Sequence, residues 1–199
     1  MQLRQASCGY TGRPAVVRDL NLQITTRGRF ALLGKNGSGK SSVLRALAGD
    51  PQLWRAGEWQ LPPQDRVQHI DQFFSHLCSE SSVRETLRRY CPAGWDEAQL
   101  RAHLNDALFS KPAQVERRVG ELSGGERARL SFACVAANPP GLLLLDEISN
   151  HLDLRARTAC LDLLAEFPGA VLLVSHDAVF REELLATVAH AGERGELTL

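Results

Sequence analysis

The chain has 199 residues, of which 44% are hydrophobic and 23% are charged, values that are ordinary for a globular domain. Its 23 lysines and arginines balance 23 aspartates and glutamates, so the net charge gives no argument for nucleic-acid binding. The apolar runs, such as Leu142–Leu145, are too short to cross a bilayer, and the N-terminus has no apolar core of a signal peptide. We therefore expect a cytoplasmic protein with one domain over residues 1–199 and no direct membrane insertion.

The first quarter of the chain predicts short strands followed by a helix. Two β-prone stretches, Gln2–Cys8 and Leu20–Thr26, flank the turn signal Gly12-Arg13-Pro14 and indicate an N-terminal antiparallel β-subdomain. The apolar run Arg29–Leu33 is typical of a buried strand. In Lys40–Ala48 the apolar residues recur at helical spacing, and Gly49 is expected to end this helix.

The middle of the chain is more broken. Residues 51–63 read as a turn-rich connection, and residues 66–71 as a strand. Residues 73–121, approximately, predict a small helical subdomain inserted into the α/β core. Within it, Ser82 is placed to cap one short helix, and Asp96 to cap another that runs to Leu108.

The last third alternates strands and helices. A helix is expected from about Ser123, and a second, Leu154–Glu166, follows the buried strand Leu142–Asp146. The strand Ala170–Val174 and a helix from Ala178 to Leu185 complete the pattern. Such alternation predicts an α/β fold with a mainly parallel sheet that is covered on both faces.

A phosphate-binding loop lies between the strand that ends at Leu33 and the helix that begins near Lys40. Residues 34–41 read G-K-N-G-S-G-K-S and match G-x-x-x-x-G-K-[ST] in the strand-to-helix context that this motif requires. Glycines let backbone N–H groups wrap the phosphates, the lysine reaches the β- and γ-phosphates, and the serine hydroxyl coordinates magnesium. The motif predicts a P-loop NTPase core that binds ATP and Mg²⁺. The expected nucleotide ligands are Gly34, Asn36, Gly37, Ser38, Gly39, Lys40, Ser41 and Ser42.

Two strand ends carry the residues expected to act on the γ-phosphate. Asp146 and Glu147 follow four leucines, at the sheet edge where open α/β folds bind ligands. Asp146 is expected to hold magnesium with Ser41, and Glu147 to act as general base on the attacking water or to orient it. His176 follows the next strand and is expected to donate to the γ-phosphate.

A further segment identifies a family. Residues 122–126, Leu-Ser-Gly-Gly-Glu, resemble the signature motif of ATP-binding-cassette (ABC) ATPases. In that family the signature segment contacts the γ-phosphate bound by a second cassette, so that two cassettes sandwich two ATP molecules. The resemblance implies that Ser123 and Gly125 make these contacts, and that the partner is a second ABC cassette, in a homodimer or a paired subunit.

Other residues take roles only through this resemblance. Gln72 is similar to the Q-loop glutamine that senses magnesium and the attacking water, and Gln68 is the competing assignment. Tyr10 is placed like the aromatic that stacks on adenine, although as an isolated aromatic it could equally belong to the core. Asp153 resembles the D-loop aspartate that couples the two nucleotide sites.

Three segments are most similar to the ABC-F group, whose members lack transmembrane domains and commonly act on ribosomes. They are residues 122–129, 149–153 and 169–177. Transporter cassettes more often read Gln at position 126 and Ala-Leu-Asp in the D-loop. ABC-F proteins usually carry two cassettes and a long linker, whereas this chain has one cassette and no such linker. Ile148 and Ser149 replace the usual Pro-Thr, which is expected to alter the turn after Glu147 and slow hydrolysis.

Three functions follow from these observations. The first is an ABC-F-like ATPase that works as a head-to-tail cassette dimer on a macromolecule such as the ribosome. The alternative is the ATP-binding subunit of an ABC transporter, docked on a separate membrane protein. The third is an ATP-binding half-site without hydrolysis, which the complete set of catalytic residues disfavours.

Overall fold

A computed structural model describes residues 1–187 and 193–199. The chain forms two compact units. The first consists of Met1–His69, Pro140–Glu147 and Pro168–Leu199, and the second of Ile70–Pro139 and Ile148–Phe167. Each unit is therefore assembled from segments that are separated in the sequence, and the predicted helical stretch 73–121 lies within the second.

Besides three short 3₁₀ helices, the described residues form eight strands and seven α-helices. In chain order they are β1 (Gln2–Tyr10), β2 (Val17–Gln23), β3 (Arg29–Leu33), α1 (Lys40–Leu47), β4 (Leu53–Gln60), β5 (Val67–Ile70), α2 (Val83–Tyr90), α3 (Glu97–Asp106), α4 (Pro112–Val115), α5 (Gly124–Ala137), β6 (Leu142–Asp146), α6 (Leu154–Glu166), β7 (Ala170–Val174), α7 (Ala178–Ala186) and β8 (Arg194–Thr198).

The N-terminal sheet is antiparallel and has the order β2-β1-β4. It confirms the predicted strands near residues 2 and 20, but the prediction of a turn-rich connection over 51–63 is wrong. That stretch forms β4, which pairs with β1 from Leu53 opposite Tyr10 to Gln60 opposite Gln2. Most of β4 is exposed because it is an edge strand, so it lacks the apolar pattern that predicts strands. Gly57 has φ +81° and its Cβ would lie 2.3 Å from the Gln5 oxygen, so this register requires glycine.

The second sheet has the order β5-β6-β7-β3-β8, with β6, β7, β3 and β8 parallel. It confirms the predicted α/β fold with a mainly parallel sheet. Strands β6 and β7 are buried along their full length, as continuous apolar runs in parallel sheets are. Val43, Leu44 and Leu47 of α1 pack in the same apolar core as residues of both sheets. The parallel strands bring their carboxyl ends to one edge, where the phosphate loop begins.

A buried arginine, Arg29, begins β3 at the edge of the sheet opposite the phosphate loop. Arg29 is 3% exposed, and its guanidinium donates to the carbonyl oxygens of Arg27, at 3.0 Å, and Gly169, at 2.8 Å. Burial, together with the nearby charge of Arg27, lowers the pKa of Arg29 to about 10. The backbone carbonyls compensate for the lost hydration of a charge that the fold keeps inside.

The second unit is a helical assembly around α5, which packs against α2, α3 and α6. Ser82 caps α2, and Asp96 caps α3, each with a reciprocal capping box, as predicted. Helix α3 ends at Asp106, two residues before the predicted end at Leu108, which has φ +65° and is outside the helix. The predicted helices starting near Ser123 and spanning Leu154–Glu166 are confirmed. Among the described residues, no helix combines the length and apolar character needed to cross a membrane.

Candidate functional site

The loop of residues 34–39 joins β3 to α1 and has the tight backbone that its glycines allow. Gly37 and Gly39 have φ +80° and +98°, a region that side-chain-bearing residues rarely adopt. A Cβ on Gly39 would lie 2.6 Å from Val17 Cγ2 and 2.8 Å from Val16 Cγ1, so the segment 16–17 passes directly against the loop. Asn36 and Gly37 are exposed at the tip, whereas Ser42 is buried on the first turn of α1.

The ammonium group of Lys40 is held inside the loop. Lys40 is 8% exposed, and its Nζ donates to the carbonyl oxygens of Gly34, at 2.9 Å, and Lys35, at 3.1 Å. Neither partner carries a formal charge, so the lysine charge is not neutralised by these contacts. The loop therefore presents a fixed positive charge beside backbone N–H groups at the start of a helix, which is the arrangement that binds phosphate.

Ser41 and Asp146 bring two oxygen ligands together. The Ser41 hydroxyl donates to Asp146 Oδ1 at 3.0 Å, although the two residues are 105 positions apart in the sequence. Asp146 ends the fully buried strand β6 and is itself 8% exposed. A hydroxyl and a carboxylate in contact at the sheet edge are suitable ligands for magnesium, which prefers oxygen.

Glu147 and His176 follow adjacent strands and contact each other. Glu147 has φ +53°, and its backbone N–H donates to the Val174 oxygen at 2.9 Å. Its Oε2 accepts the backbone N–H of His176 at 3.2 Å, and its Oε1 lies 3.4 Å from His176 Nε2. The Glu147 side chain is 16% exposed and the His176 side chain 59% exposed. The backbone thus fixes the carboxylate, while the imidazole remains open to solvent.

Two polar atoms of this site fit a bound magnesium nucleotide. Ser38 Oγ and Glu147 Oε1 are buried, and neither has a hydrogen-bond partner within the part of the chain that the structure describes. Buried polar atoms are nearly always satisfied in folded proteins, so these two oxygens, in the phosphate loop and beside its acidic strand end, are free to contact a bound ligand. The phosphates, the magnesium ion and the attacking water would supply those partners.

Tyr10 lies at the end of β1 and is half-buried. Its hydroxyl accepts a hydrogen bond from Arg45 Nη1 at 3.2 Å, and the Arg45 guanidinium carbon lies 5.6 Å from the centre of its ring. One side of the ring is therefore engaged by a cation. Adenine stacking on Tyr10 stays a prediction, and it would use the remaining face of the ring.

The signature residues belong to the second unit. Ser123 caps α5, and its Oγ accepts the Glu126 N–H at 3.3 Å. Glu126 completes a capping box by accepting the Ser123 N–H on Oε2 at 2.9 Å. Its other oxygen pairs with the Arg117 guanidinium. Partial desolvation raises the pKa of Glu126, but the hydrogen bonds from Ser123 and Arg117 outweigh it and hold that pKa below its ordinary value.

Asp153, the predicted D-loop residue, is in contact with the same helix. Asp153 Oδ1 caps α6 by accepting the Ala156 N–H at 2.7 Å, and Oδ2 lies 3.7 Å from Arg129 Nη1. A Cβ on Gly125 would lie 3.1 Å from Asp153 Oδ2, so the aspartate packs closely on the signature backbone. The predicted signature and D-loop segments are thus joined through the start of α5.

Gln72 lies in a turn that Asp71 organises by accepting the N–H groups of Phe73, at 3.1 Å, and Ser75, at 2.9 Å. Gln72 also belongs to the second unit. The competing residue, Gln68, lies in β5 and donates to the His69 oxygen at 3.3 Å. Its amide is therefore engaged locally, which favours Gln72 as the sensing glutamine, and that role stays a prediction.

Three arginines that organise these sites are assigned no role by the sequence motifs, namely Arg45, Arg117 and Arg129. The pattern Ser-x-x-Glu at 123–126 is a capping-box signature, and it could have placed Glu126 at the helix start. No comparable local pattern predicts the arginine partners, because each contact depends on how separate segments pack.

The β3–loop–α1 arrangement, with an acidic side chain at the end of a neighbouring parallel strand, defines a P-loop nucleotide-binding protein. A sequence model of the family described as ABC transporter matches residues 17–150. The chain therefore belongs to the ATP-binding-cassette family, as its signature segment predicts.

Relatives within this family include members of the ABC-F group. The chain is 36% identical over 192 residues to the ATP-binding protein Uup of Caulobacter vibrioides, an alignment that covers 92% of this chain and 31% of that protein. It is 37% identical over 172 residues to ABC transporter F family member 3 of Arabidopsis thaliana, covering 86% and 24%. It is 31% identical over 190 residues to the energy-dependent translational throttle protein EttA of Haemophilus influenzae, covering 94% and 34%. The chain spans about a third or less of each relative.

Proposed function

We propose that this cassette binds Mg-ATP at the loop of residues 34–41 and hydrolyses it. The contact between Ser41 and Asp146 carries the proposal, because it joins the phosphate loop to the acidic strand end through two magnesium-type ligands. Ser41 and Asp146 would hold magnesium, which would neutralise part of the negative charge of the phosphates. Lys40 adds a positive charge that only neutral carbonyls contact in the described residues.

Glu147 orients and deprotonates the attacking water, and His176 donates to the γ-phosphate. The fixed backbone of Glu147 supports this assignment, since its N–H donates to Val174 and its Oε2 accepts from His176. The other oxygen, Oε1, lies 3.4 Å from His176 Nε2 but has no hydrogen bond among the described residues, so it can accept one from a water molecule. A carboxylate that is held by the backbone needs little reorganisation when the reaction occurs, which is how positioned bases accelerate proton transfer.

Hydrolysis uses two cassettes arranged head to tail. Ser123 and Gly125 of a second cassette contact the γ-phosphate, with the capped start of α5 providing N–H donors. Gln72 senses magnesium and the attacking water. ATP then holds the pair together, and loss of the γ-phosphate releases it.

The biological role that fits best is that of an ABC-F-like factor acting on the ribosome in the cytoplasm. The similarity to EttA, whose name describes a translational throttle, and to ABC-F member 3 supports it. The description of the matching family favours a second candidate, the ATP-binding subunit of a transporter docked on a separate membrane protein.

The Glu147→Gln variant tests hydrolysis by paired cassettes. The amide keeps the size of the side chain but cannot accept the proton, so we expect turnover to fall by about 10²–10⁴-fold. The bound ATP should then hold a dimer that elutes early in size exclusion with light scattering. Glu166→Gln, at the exposed end of α6, is the matched control and should behave like wild type. A monomer at every ATP concentration would eliminate the homodimer.

The two biological roles separate in a fractionation experiment. The ATP-trapped Glu147→Gln protein should co-sediment with ribosomes through a sucrose cushion. Recovery of the same protein in the membrane fraction, together with an integral membrane protein, would favour the transporter subunit instead.

A further inference from the structure

A carboxylate stands at the helix start that is proposed to receive the γ-phosphate. Glu126 is in the first turn of α5, three residues after Ser123, and its side chain is 18% exposed. Its Oε2 accepts the Ser123 N–H, so the charge is held beside the N-terminal end of the helix. A negative charge there opposes binding of an anion, since it cancels part of the positive helix end.

Arg117 compensates for this charge. Its Nη2 donates to Glu126 Oε1, and its side chain is 32% exposed. The Arg117 backbone is anchored as well, because its carbonyl oxygen accepts the Val83 N–H at 3.0 Å. The neighbouring residue Arg118 forms a β-bridge with Ser82. The segment that carries Arg117 is thus fixed to the start of α2. Because its backbone is held there, Arg117 loses less conformational entropy when it pairs with Glu126.

Glutamate and glutamine serve this capping box equally well in geometry, since either oxygen can accept the Ser123 N–H. They differ in charge. A glutamate offsets the positive charge of the helix start unless a cation neutralises it, whereas a neutral glutamine leaves the affinity of the helix start for phosphate unchanged. We propose that Arg117 is a positioning residue of the nucleotide site, which neutralises Glu126 so that Ser123 and Gly125 can bind the γ-phosphate held by a second copy of the chain. The inference rests on the proposed function of the signature segment.

The experiment measures ATP-dependent dimerisation by analytical ultracentrifugation, with every variant placed in the Glu147→Gln background. Arg117→Met keeps an apolar stem but removes the charge. We expect its dimer dissociation constant to rise by about tenfold. Adding Glu126→Gln to Arg117→Met should restore most of the affinity, because the uncompensated charge is then gone. The matched control is Arg118→Met, whose guanidinium pairs with Glu80 at 3.0 Å on the exposed surface and which should leave dimerisation unchanged.

Salt provides a second readout. The defect of Arg117→Met should shrink as the salt concentration rises, because added ions screen the repulsion between Glu126 and the phosphate. Thermal unfolding of each variant establishes that it is folded at the assay temperature. If Arg117 only supported the fold, the double variant would dimerise as weakly as Arg117→Met, and salt would not narrow the difference.

The possible failures can be told apart. If the Glu147→Gln parent takes up no Mg-ATP, the proposed function fails and this inference fails with it. If the parent binds Mg-ATP but stays monomeric, the homodimer is eliminated, and this inference, which needs a second copy of the chain, is overturned while nucleotide binding stands. If the parent dimerises normally but Glu126→Gln does not rescue Arg117→Met, only the role assigned to Arg117 is overturned.

Discussion

Replacing Gly39 by alanine should destabilise the apo protein more than the same change at Gly37. Both glycines lie in the phosphate loop with positive φ, +98° and +80° respectively. They differ in their surroundings. A Cβ at position 39 would be 2.6 Å from Val17 Cγ2, whereas no heavy atom lies within 4 Å of a Cβ at position 37. The pair therefore separates backbone strain from steric conflict.

The magnitudes follow from these contacts. Alanine in a left-handed conformation costs about 1 kcal/mol at either position. The conflict at position 39 adds about 1–3 kcal/mol, because Val17 is only 7% exposed and has little room to move. Alanine also restricts the unfolded chain, but this effect is the same for both variants and cancels in the comparison. We expect Gly39→Ala to lose about 2–4 kcal/mol and Gly37→Ala about 1 kcal/mol.

Urea unfolding without nucleotide measures the free energy of unfolding of each variant. Equal dependence of that free energy on urea concentration would show that both variants expose the same surface on unfolding, so that their stabilities can be compared. In a Val17→Ala background, Gly39→Ala should lower the free energy of unfolding by less than it does in wild type. Gly37→Ala should lower it by the same amount in both backgrounds. Equal destabilisation of the two glycine variants would refute the argument, because it would mean that the packing of residues 16–17 against the loop contributes nothing.

Three further predictions concern the site, the core and the pH dependence. Lys40→Ala should weaken Mg-ATP binding by about 100-fold in calorimetry, as expected for loss of a charge-assisted phosphate contact, and unchanged affinity would contradict its role. Leu144→Ala, at a fully buried position of β6, should lower the free energy of unfolding by about 3 kcal/mol, whereas Leu154→Ala, at an 80% exposed position, should change it by under about 0.5 kcal/mol. The folded pKa of Glu126 is held below its ordinary value, so the stabilisation from this carboxylate is present above that ordinary pKa and is lost as the pH falls through the folded pKa. Wild type should therefore lose more stability than Glu126→Gln between about pH 5 and about pH 3; parallel stability curves would rule out this contribution.

The sequence predicts which residues of the proposed nucleotide site lie close together, because these residues lie at or after the ends of parallel strands. Ser41 and Asp146 are far apart in the chain, but Asp146 is the last residue of β6, and Ser41 lies in the first turn of α1, which follows β3 of the same sheet through the phosphate loop. Parallel topology brings such ends to one edge, so the contact follows from the order of strands and helices. The apolar runs of β6 and β7 and the motif at 34–41 provide that order unambiguously.

Features that depend on packing at exposed positions are not predictable in this way. Strand β4 carries mostly exposed residues and forms because β1 offers an unpaired edge, which no local pattern in 53–60 reveals. Glu147 adopts φ +53° because its N–H bonds to Val174 across the strand ends, although glutamate has no intrinsic preference for that region. The pairing of Arg117 with Glu126 likewise depends on where the α2 segment holds the arginine backbone.

The helical unit is built from two stretches of chain, Ile70–Pro139 and Ile148–Phe167, and this has a consequence for recombination. If only the first stretch were grafted from a related cassette, α5 and residue 129 would come from the donor, whereas α6 and Asp153 would remain those of the host. The packing of α5 against α6 and the contact between residues 129 and 153 would then combine residues of two proteins. Chimaeras that exchange both stretches keep Arg129 and Asp153 from the same parent, and should yield soluble, folded protein more often. Modular exchange of this unit therefore needs four junctions rather than two.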